Sequence, residues 1–270
     1  METPNILLTV ILPINNEEKI LKSSTDYYAT HFDRVVGKEN WQYVLVENGS
    51  TDKSPHIIEQ IVKMFPTSKS LSLKKADYGN ALREGFLAAD GEWSLIMNVD
   101  HLWDSPYFEW AWKHREEYDF IIGSKRADPT LNTQDQYRRV LSAGLNSILQ
   151  YLFDFVAAES HGMKLMRTQN LRPVAKECVM RRGQFDTELT LRALRGCFWV
   201  AEVPMPYKEK RNPRNFMVKK IGQNVVDMFR LYRTMKMVTY SGNVKYRRFC
   251  RDDLTGSAKP TKVVHVSSEK

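Results

Sequence analysis

The sequence predicts an α/β fold: a mostly parallel, Rossmann-like sheet flanked by helices, followed by a C-terminal amphipathic helix. Three observations carry this. Leu7–Leu12, Tyr43–Val46 and Trp93–Met97 are continuous aliphatic or aromatic runs without polar alternation, the pattern of strands buried on both faces. The first two run into polar turns and then segments with helical signals, so strands and helices alternate. The 270 residues are 42% hydrophobic and 27% charged, enough for one substantial core.

In chain order, Pro13 is expected to stop the first strand, and Asn15–Glu18 to open a helix with acidic residues in its first turn. Tyr43–Val46 runs into Glu47–Asp52, where Gly49 gives the turn and Ser50 or Thr51 caps the next helix. That helix carries Ile57, Ile58, Ile61, Val62 and Phe65 on one face and closes at Pro66. Ser70–Leu73 is a weak third strand. Tyr78–Asp90 has helical spacing, with Gly91 as its C′ residue. Trp93–Met97 is the fourth strand, and Asn98 and Asp100 follow one pleat apart.

Beyond it come a helix around Phe108–Glu117, a strand at Phe120–Gly123 and a polar loop at Asp128–Asp135. A long helix at Tyr137–Phe155, a strand at Met163–Met166, a helix at Asp186–Leu194 and a last strand at Phe198–Val203 follow. Tyr207–Arg214 is basic and turn-rich. Val218–Val238 reads as an amphipathic helix with Ile221, Val225, Met228, Phe229 and Tyr232 on one face. The expected organisation is one domain over 1–238 and a polar, flexible tail over 239–270.

A formal net charge of +8 calls for an anionic partner: nucleotide, lipid phosphate, membrane surface or nucleic acid. The three cysteines form no CxxC, which argues against a zinc site or disulfide framework and for a reducing, cytoplasmic compartment. No run approaches membrane-spanning length. There is no GxG fingerprint, no GxxxxGK[ST] loop, no HExxH and no GxSxG. What remains is a set of polar residues where successive strands end: Asn15 and Glu17, Glu47 and Asn48, Asn98 and Asp100. Converging on one sheet edge, they would form a nucleotide-sized site. Read singly, they are caps and turn formers.

Four segments share one order and spacing with a known family. Val10-Ile11-Leu12-Pro13-Ile14-Asn15-Asn16-Glu17-Glu18 resembles the V-I-P-x-Y-N-E-E opening of family 2, GT-A fold glycosyltransferases. Val44–Asp52 resembles their V-V-D-D-G-S-T-D segment, and Asp77–Gly85 their G-K-G-x-A-L-x-x-G helix. Asn98-Val99-Asp100 falls at the D-x-D. Gly123–Arg126, Arg138–Ser142 with Asn146, Glu159–Leu165 and Phe185–Leu189 are similar to the dolichyl- or polyprenyl-phosphate mannosyl/glucosyltransferase branch.

The resemblance implies a GT-A fold and an inverting transfer of a sugar from a nucleotide-sugar donor, with a polyprenyl phosphate as the acceptor class. It implies a divalent metal, Mg²⁺ or Mn²⁺, on Asp100 with Asn98, which would neutralise the departing diphosphate. Donor contacts would come from Pro13, Asn15, Glu17, Glu47, Asn48, Asn98 and Asp100, and from Arg211 or Arg214 of the basic loop. Lys125, Arg126, Arg138 and Arg139 would hold an acceptor phosphate by charge-assisted bonds. A hydroxyl acceptor would need a carboxylate base, Glu159 or Asp186. A lipid acceptor implies peripheral binding at the cytoplasmic membrane face.

The chain departs from the family pattern at Asn15, Asn48, Asn98 and Leu102, where the family places Tyr, Asp, Asp and Gln. Asn48 and Asn98 motivate a second reading, a non-catalytic sugar-nucleotide-binding homologue. Basic charge motivates a third, a nucleic-acid binder, but no recognition motif accompanies it, and nucleic acid is not an expected partner.

Overall fold

The structure, a computed structural model, describes residues 5–100, 107–124, 162–196, 198–205, 226–235 and 263–265, and within 144–153 residues 144, 147, 148 and 150–153. The chain alternates as read. β1 (Leu8–Ile14), α1 (Leu21–Val35), β2 (Trp41–Asn48), α2 (Ser54–Met64), β3 (Lys69–Leu73), α3 (Tyr78–Leu87) and β4 (Trp93–Ile96) form the first half. The second holds α4 (Tyr107–Lys113), β5 (Phe120–Ser124), β6 (Lys164–Arg167), α5 (Thr168–Glu177), α6 (Phe185–Arg195) and β7 (Val200–Pro204). A helix over 226–235, α7, and a strand β8 (Val263–His265) complete it.

The sheet order is β3-β2-β1-β4-β6-β5-β7-β8. All neighbours are parallel except β6, which runs antiparallel to both β4 and β5. The carboxyl ends of the other strands and the start of β6 therefore lie on one edge. The alternation of strand side chains sends Val10 and Leu12 to the face covered by α1, α2 and α4. It sends Ile11 and Ile96 to the face covered by α3, α5, α6 and α7. α3 lies almost on the strands, because a Cβ on Gly85 would come within 2.5 Å of Ile11 Cγ2. Leu82 and Phe86 on the same helix are fully buried, each worth roughly 1.5–3 kcal/mol.

Several local expectations need correcting. Pro13 does not stop β1, which continues to Ile14. The carbonyls of Leu7 and Ile11 bond to Trp93 and Met97 of the β4 segment, so alternate residues from Leu7 to Pro13 face β4. β4 ends at Ile96, so the N–H that Pro13 lacks falls where no partner strand remains. Asn15–Glu18 is a loop and α1 starts at Leu21 with no acid in its first turn. The residue preceding α2 is Lys53, not Ser50 or Thr51, and Asp52 takes the Ser54 N–H. Gly91 is not a helix C′ residue, since α3 ends at Leu87. It is needed because a Cβ there would sit 2.6 Å from Thr9 N.

α5 has no counterpart in the sequence reading; Pro173 lies inside it, and its buried Leu171, Val174 and Ala175 keep helical spacing. The tail expected to be flexible supplies β8, parallel to β7. On α7, Met228 is buried as expected, whereas Phe229 points outward at 63% exposure.

Candidate active site

The loops after β1 and β2 are laced together by hydrogen bonds. Asn15 Nδ2 donates to the carbonyls of Asn48 (2.8 Å) and Gly49 (3.3 Å). Asn16, in the left-handed region at φ 58°, accepts the Thr51 N–H at 2.8 Å and donates its own N–H to Ser50 Oγ at 3.1 Å. The Glu17 N–H donates to Ser54 Oγ, the Glu18 N–H to Asp52 Oδ2, and the Lys53 N–H back to Glu18 Oε2. Burial alone would push the Asp52 carboxyl up, but donors from Ser54 and Glu18 hold it below the usual carboxylate range. Asn15 is thus a strut between loops.

Glu47 and Asn48 end β2. Both carboxylate oxygens of Glu47 are engaged, one by the Ser50 N–H and one by Ser72 Oγ. Glu47 closes the turn and ties it to β3. The Asp77 N–H donates to Asn48 Oδ1 at 2.7 Å, which fixes the amide orientation because only an oxygen can accept. The Asn48 NH₂ then makes no hydrogen bond among the described residues. The side chain at β2's end is therefore a donor, where the family's carboxylate would accept.

α3 joins this loop pair to the rest of the edge. Asp77 is its N-cap, accepting Asn80 N–H at 3.0 Å with the same oxygen that takes Arg182 N–H at 2.7 Å. A Cβ on Gly79 would meet Arg182 O at 2.0 Å, so the helix starts directly against that turn. Tyr78 donates its hydroxyl to Asn98 Oδ1 at 2.9 Å. Asn98 and Asp100 lie in the turn past β4 rather than on the strand, which replaces the expected one-pleat relation. Tyr28 anchors this turn from α1 by donating to Val99 O at 2.9 Å.

The fit to a divalent cation can be judged from these donors. Asp100 is a half-buried carboxylate, and Asn98 Oδ1 accepts from the Tyr78 hydroxyl beside it. Among the described residues no three His, Cys, Asp or Glu side chains form a metal cluster. One carboxylate plus an amide oxygen fits a magnesium-like ion that takes its other ligands from a diphosphate and water.

β6 brings a second polar centre to the edge. Lys164, paired in register with Ile96 and Ile122, is fully buried and lies 3.1 Å from Asp186 Oδ1 at the start of α6. Its Nζ also donates to Gly162 O at 2.9 Å. The Lys164–Asp186 contact is an ion pair without hydrogen-bond alignment, and Asp186 Oδ1, Gln184 Oε1 and Thr187 Oγ1 are buried without a hydrogen-bond partner among the described residues. These three atoms lie within four residues at the start of α6.

Of the expected site residues, Pro13, Asn15, Glu17, Glu47, Asn48, Asn98, Asp100 and Asp186 all fall at this edge or the helix beside it. Lys125, Arg126, Arg138, Arg139, Glu159, Arg211 and Arg214 lie outside the described residues. The sequence reading placed Asp77, Tyr78 and Lys164 within family-like segments but gave them no role at the site. Asp77 carried a signal, an N-cap residue before a periodic apolar segment. So did Lys164, the one charge in Met163–Met166. Tyr78 carried none.

The comparisons agree with this architecture. The glycosyltransferase AglD of Haloferax volcanii is 22% identical over 218 residues, covering 79% of this chain. The chain spans only 35% of AglD. A dolichyl-phosphate beta-glucosyltransferase of Trichomonas vaginalis is 23% identical over 225 residues, covering 76% of this chain and 67% of that protein. Mannosyl-3-phosphoglycerate synthase from Rubrobacter xylanophilus superposes with a TM-score of 0.50 at 11% identity, covering 94% and 79% of the two chains. That likeness speaks for the fold, which is GT-A. Residues 9–173 match the family described as Glycosyl transferase family 2. With three strand-end motifs and the start of α3 set along one edge of a GT-A sheet, the chain belongs to glycosyl transferase family 2.

Proposed function

We propose that the chain is an inverting glycosyltransferase that moves a sugar from a nucleotide-sugar to a polyprenyl phosphate. The observation that carries this is the polar edge built by Asn48, Asn98 and Asp100. In the reaction an acceptor oxygen attacks the anomeric carbon, the bond from that carbon to the diphosphate breaks, and the nucleoside diphosphate leaves with the electron pair. A phosphate acceptor is ionised near neutral pH and needs no base. A hydroxyl acceptor would have to give its proton to Glu159 or Asp186.

Asp100 and Asn98 would hold the divalent ion, which supplies charge neutralisation at the departing diphosphate when bound. Asn48 offers its NH₂ to the base. Arg211 and Arg214 would face the donor phosphates, and Lys125, Arg126, Arg138 and Arg139 the acceptor phosphate. The relative named for dolichyl phosphate supports the lipid acceptor. Such an acceptor puts the reaction at a membrane surface, and no helix among the described residues is long and apolar enough to cross one. On this reading the protein works peripherally at the cytoplasmic face.

The test is calorimetric titration of UDP, GDP and CDP and their sugars, with and without Mn²⁺ or Mg²⁺, followed by turnover on polyprenyl phosphate. Metal-dependent binding of one nucleotide class, lost in Asp100→Ala, is expected. Binding without turnover on any acceptor would favour the non-catalytic homologue, for which Asn98 speaks. Silence from folded protein would end the nucleotide-sugar reading.

A further inference from the structure

Nine large hydrophobic side chains are exposed among the described residues, and five of them sit on two neighbouring helical segments: Ile148, Tyr151, Leu152, Val226 and Phe229. The segments touch through Phe153 and Tyr232, whose ring centroids are 6.0 Å apart. Arg195 bridges them by donating to Phe153 O and Met235 O, each at 3.3 Å. Ile148, Tyr151 and Leu152 share one helix face by their spacing, as do Val226, Phe229, Arg230 and Arg233. The buried face of α7 is Asp227, Met228, Leu231 and Met235. The outward face thus carries aliphatic groups, two largely exposed rings at 88% and 63%, and two arginines. The one acid of α7 is turned inward.

We infer that this face docks on an anionic lipid surface, with Tyr151, Phe229 and their aliphatic neighbours in the headgroup boundary and Arg230 and Arg233 on lipid phosphates. Apolar and aromatic groups rimmed by arginine are the composition of an in-plane interfacial surface. A second copy of the chain is the poorer occupant. A two-fold contact would set arginine against arginine with no exposed carboxylate from α7 to pair, between chains that each carry +8. The inference rests on the lipid-acceptor reading and deepens it by naming the surface that would hold the chain at the bilayer.

The experiment is co-sedimentation of the full chain with phosphatidylcholine vesicles, alone or with about 30% phosphatidylserine. Retention on the anionic vesicles, weakening as salt is raised, is expected. The double variant Tyr151→Ser/Phe229→Ser should lower partitioning at least about tenfold while the circular dichroism spectrum and thermal midpoint stay unchanged, because both side chains are exposed. Arg230→Glu/Arg233→Glu should remove the preference for phosphatidylserine. Wild-type protein left in the supernatant with both vesicle types at low salt would overturn the inference, as would variants that bind like wild type. So would a dimer in light scattering that the Phe229 change dissociates, which would assign the face to a second copy. The vesicles hold neither nucleotide nor polyprenyl phosphate, so failure here leaves the transfer reaction standing, and a silent nucleotide panel leaves the docking standing.

Discussion

Replacing Lys164 by Met isolates the energetics of the buried pair. At 3.1 Å the attraction between Lys164 and Asp186 is about 5 kcal/mol with an effective dielectric near 20. Removing two ions from water costs several kcal/mol each, so the intact pair adds little net stability. Removing one partner is different. Lys164→Met leaves the Asp186 carboxylate 2% exposed with no cation beside it, and Gly162 O loses its donor. The expected loss is about 3–5 kcal/mol, a fall of roughly 6–20 °C in thermal midpoint for a domain of this size. Asp186→Leu should cost a similar amount by stranding the ammonium. The double variant Lys164→Met/Asp186→Leu should regain most of it, giving a coupling energy of about 2 kcal/mol or more. Urea denaturation of the four proteins completes the cycle. Single variants that each lose less than about 1 kcal/mol would refute the reasoning, because that is how a solvated surface pair behaves.

Asn48→Asp keeps an acceptor for the Asp77 N–H and turns the outward donor into an acceptor. Uracil and cytosine reverse donor and acceptor along one edge, so the UDP-to-CDP affinity ratio should move by about tenfold, and an unchanged ratio in calorimetry would remove Asn48 from base reading. Gly79→Ala forces a Cβ to within 2.0 Å of Arg182 O and should cost about 1–3 kcal/mol in urea denaturation, where a neutral result would mean the turn moves freely. Burial, and then Arg34, push the His31 imidazole below its ordinary 6.5. The unfolded chain therefore takes the proton first, and stability should fall as pH drops from that value toward the lower folded one. His31→Gln should flatten that part of the stability profile, and an unchanged slope would point to another group.

Much of the sheet was legible because a strand buried on both faces has nothing but apolar residues to offer, as in Tyr43–Val46. The order of strand-end motifs was legible for the same reason, since each marks where such a run stops. Side-chain partners were less so. Asn15 and Glu47 have the residue types of a ligand site, yet their hydrogen bonds go to the Asn48 carbonyl, the Ser50 N–H and Ser72. The Asn48 carbonyl and Ser72 come from neighbouring strands, and no local pattern announces them. α5 escaped because Pro173 reads as a breaker, and its burial against α3 and α6 overrides that. β8 escaped because a three-residue strand depends on the β7 edge it joins rather than on its own composition.

The lacing of the 15–18 and 49–54 loops has a thermodynamic consequence for whatever binds there. Loops that order only on ligation give a large unfavourable entropy, offset by enthalpy. Here the ordering is completed during folding, by contacts about 35 residues apart in sequence such as Thr51 to Asn16. A nucleotide would meet a floor already set, so its binding entropy should reflect displaced water and the ligand's own lost freedom. Cutting one lace, as in Asn16→Ala, should then weaken binding through entropy while leaving every ligand contact in place.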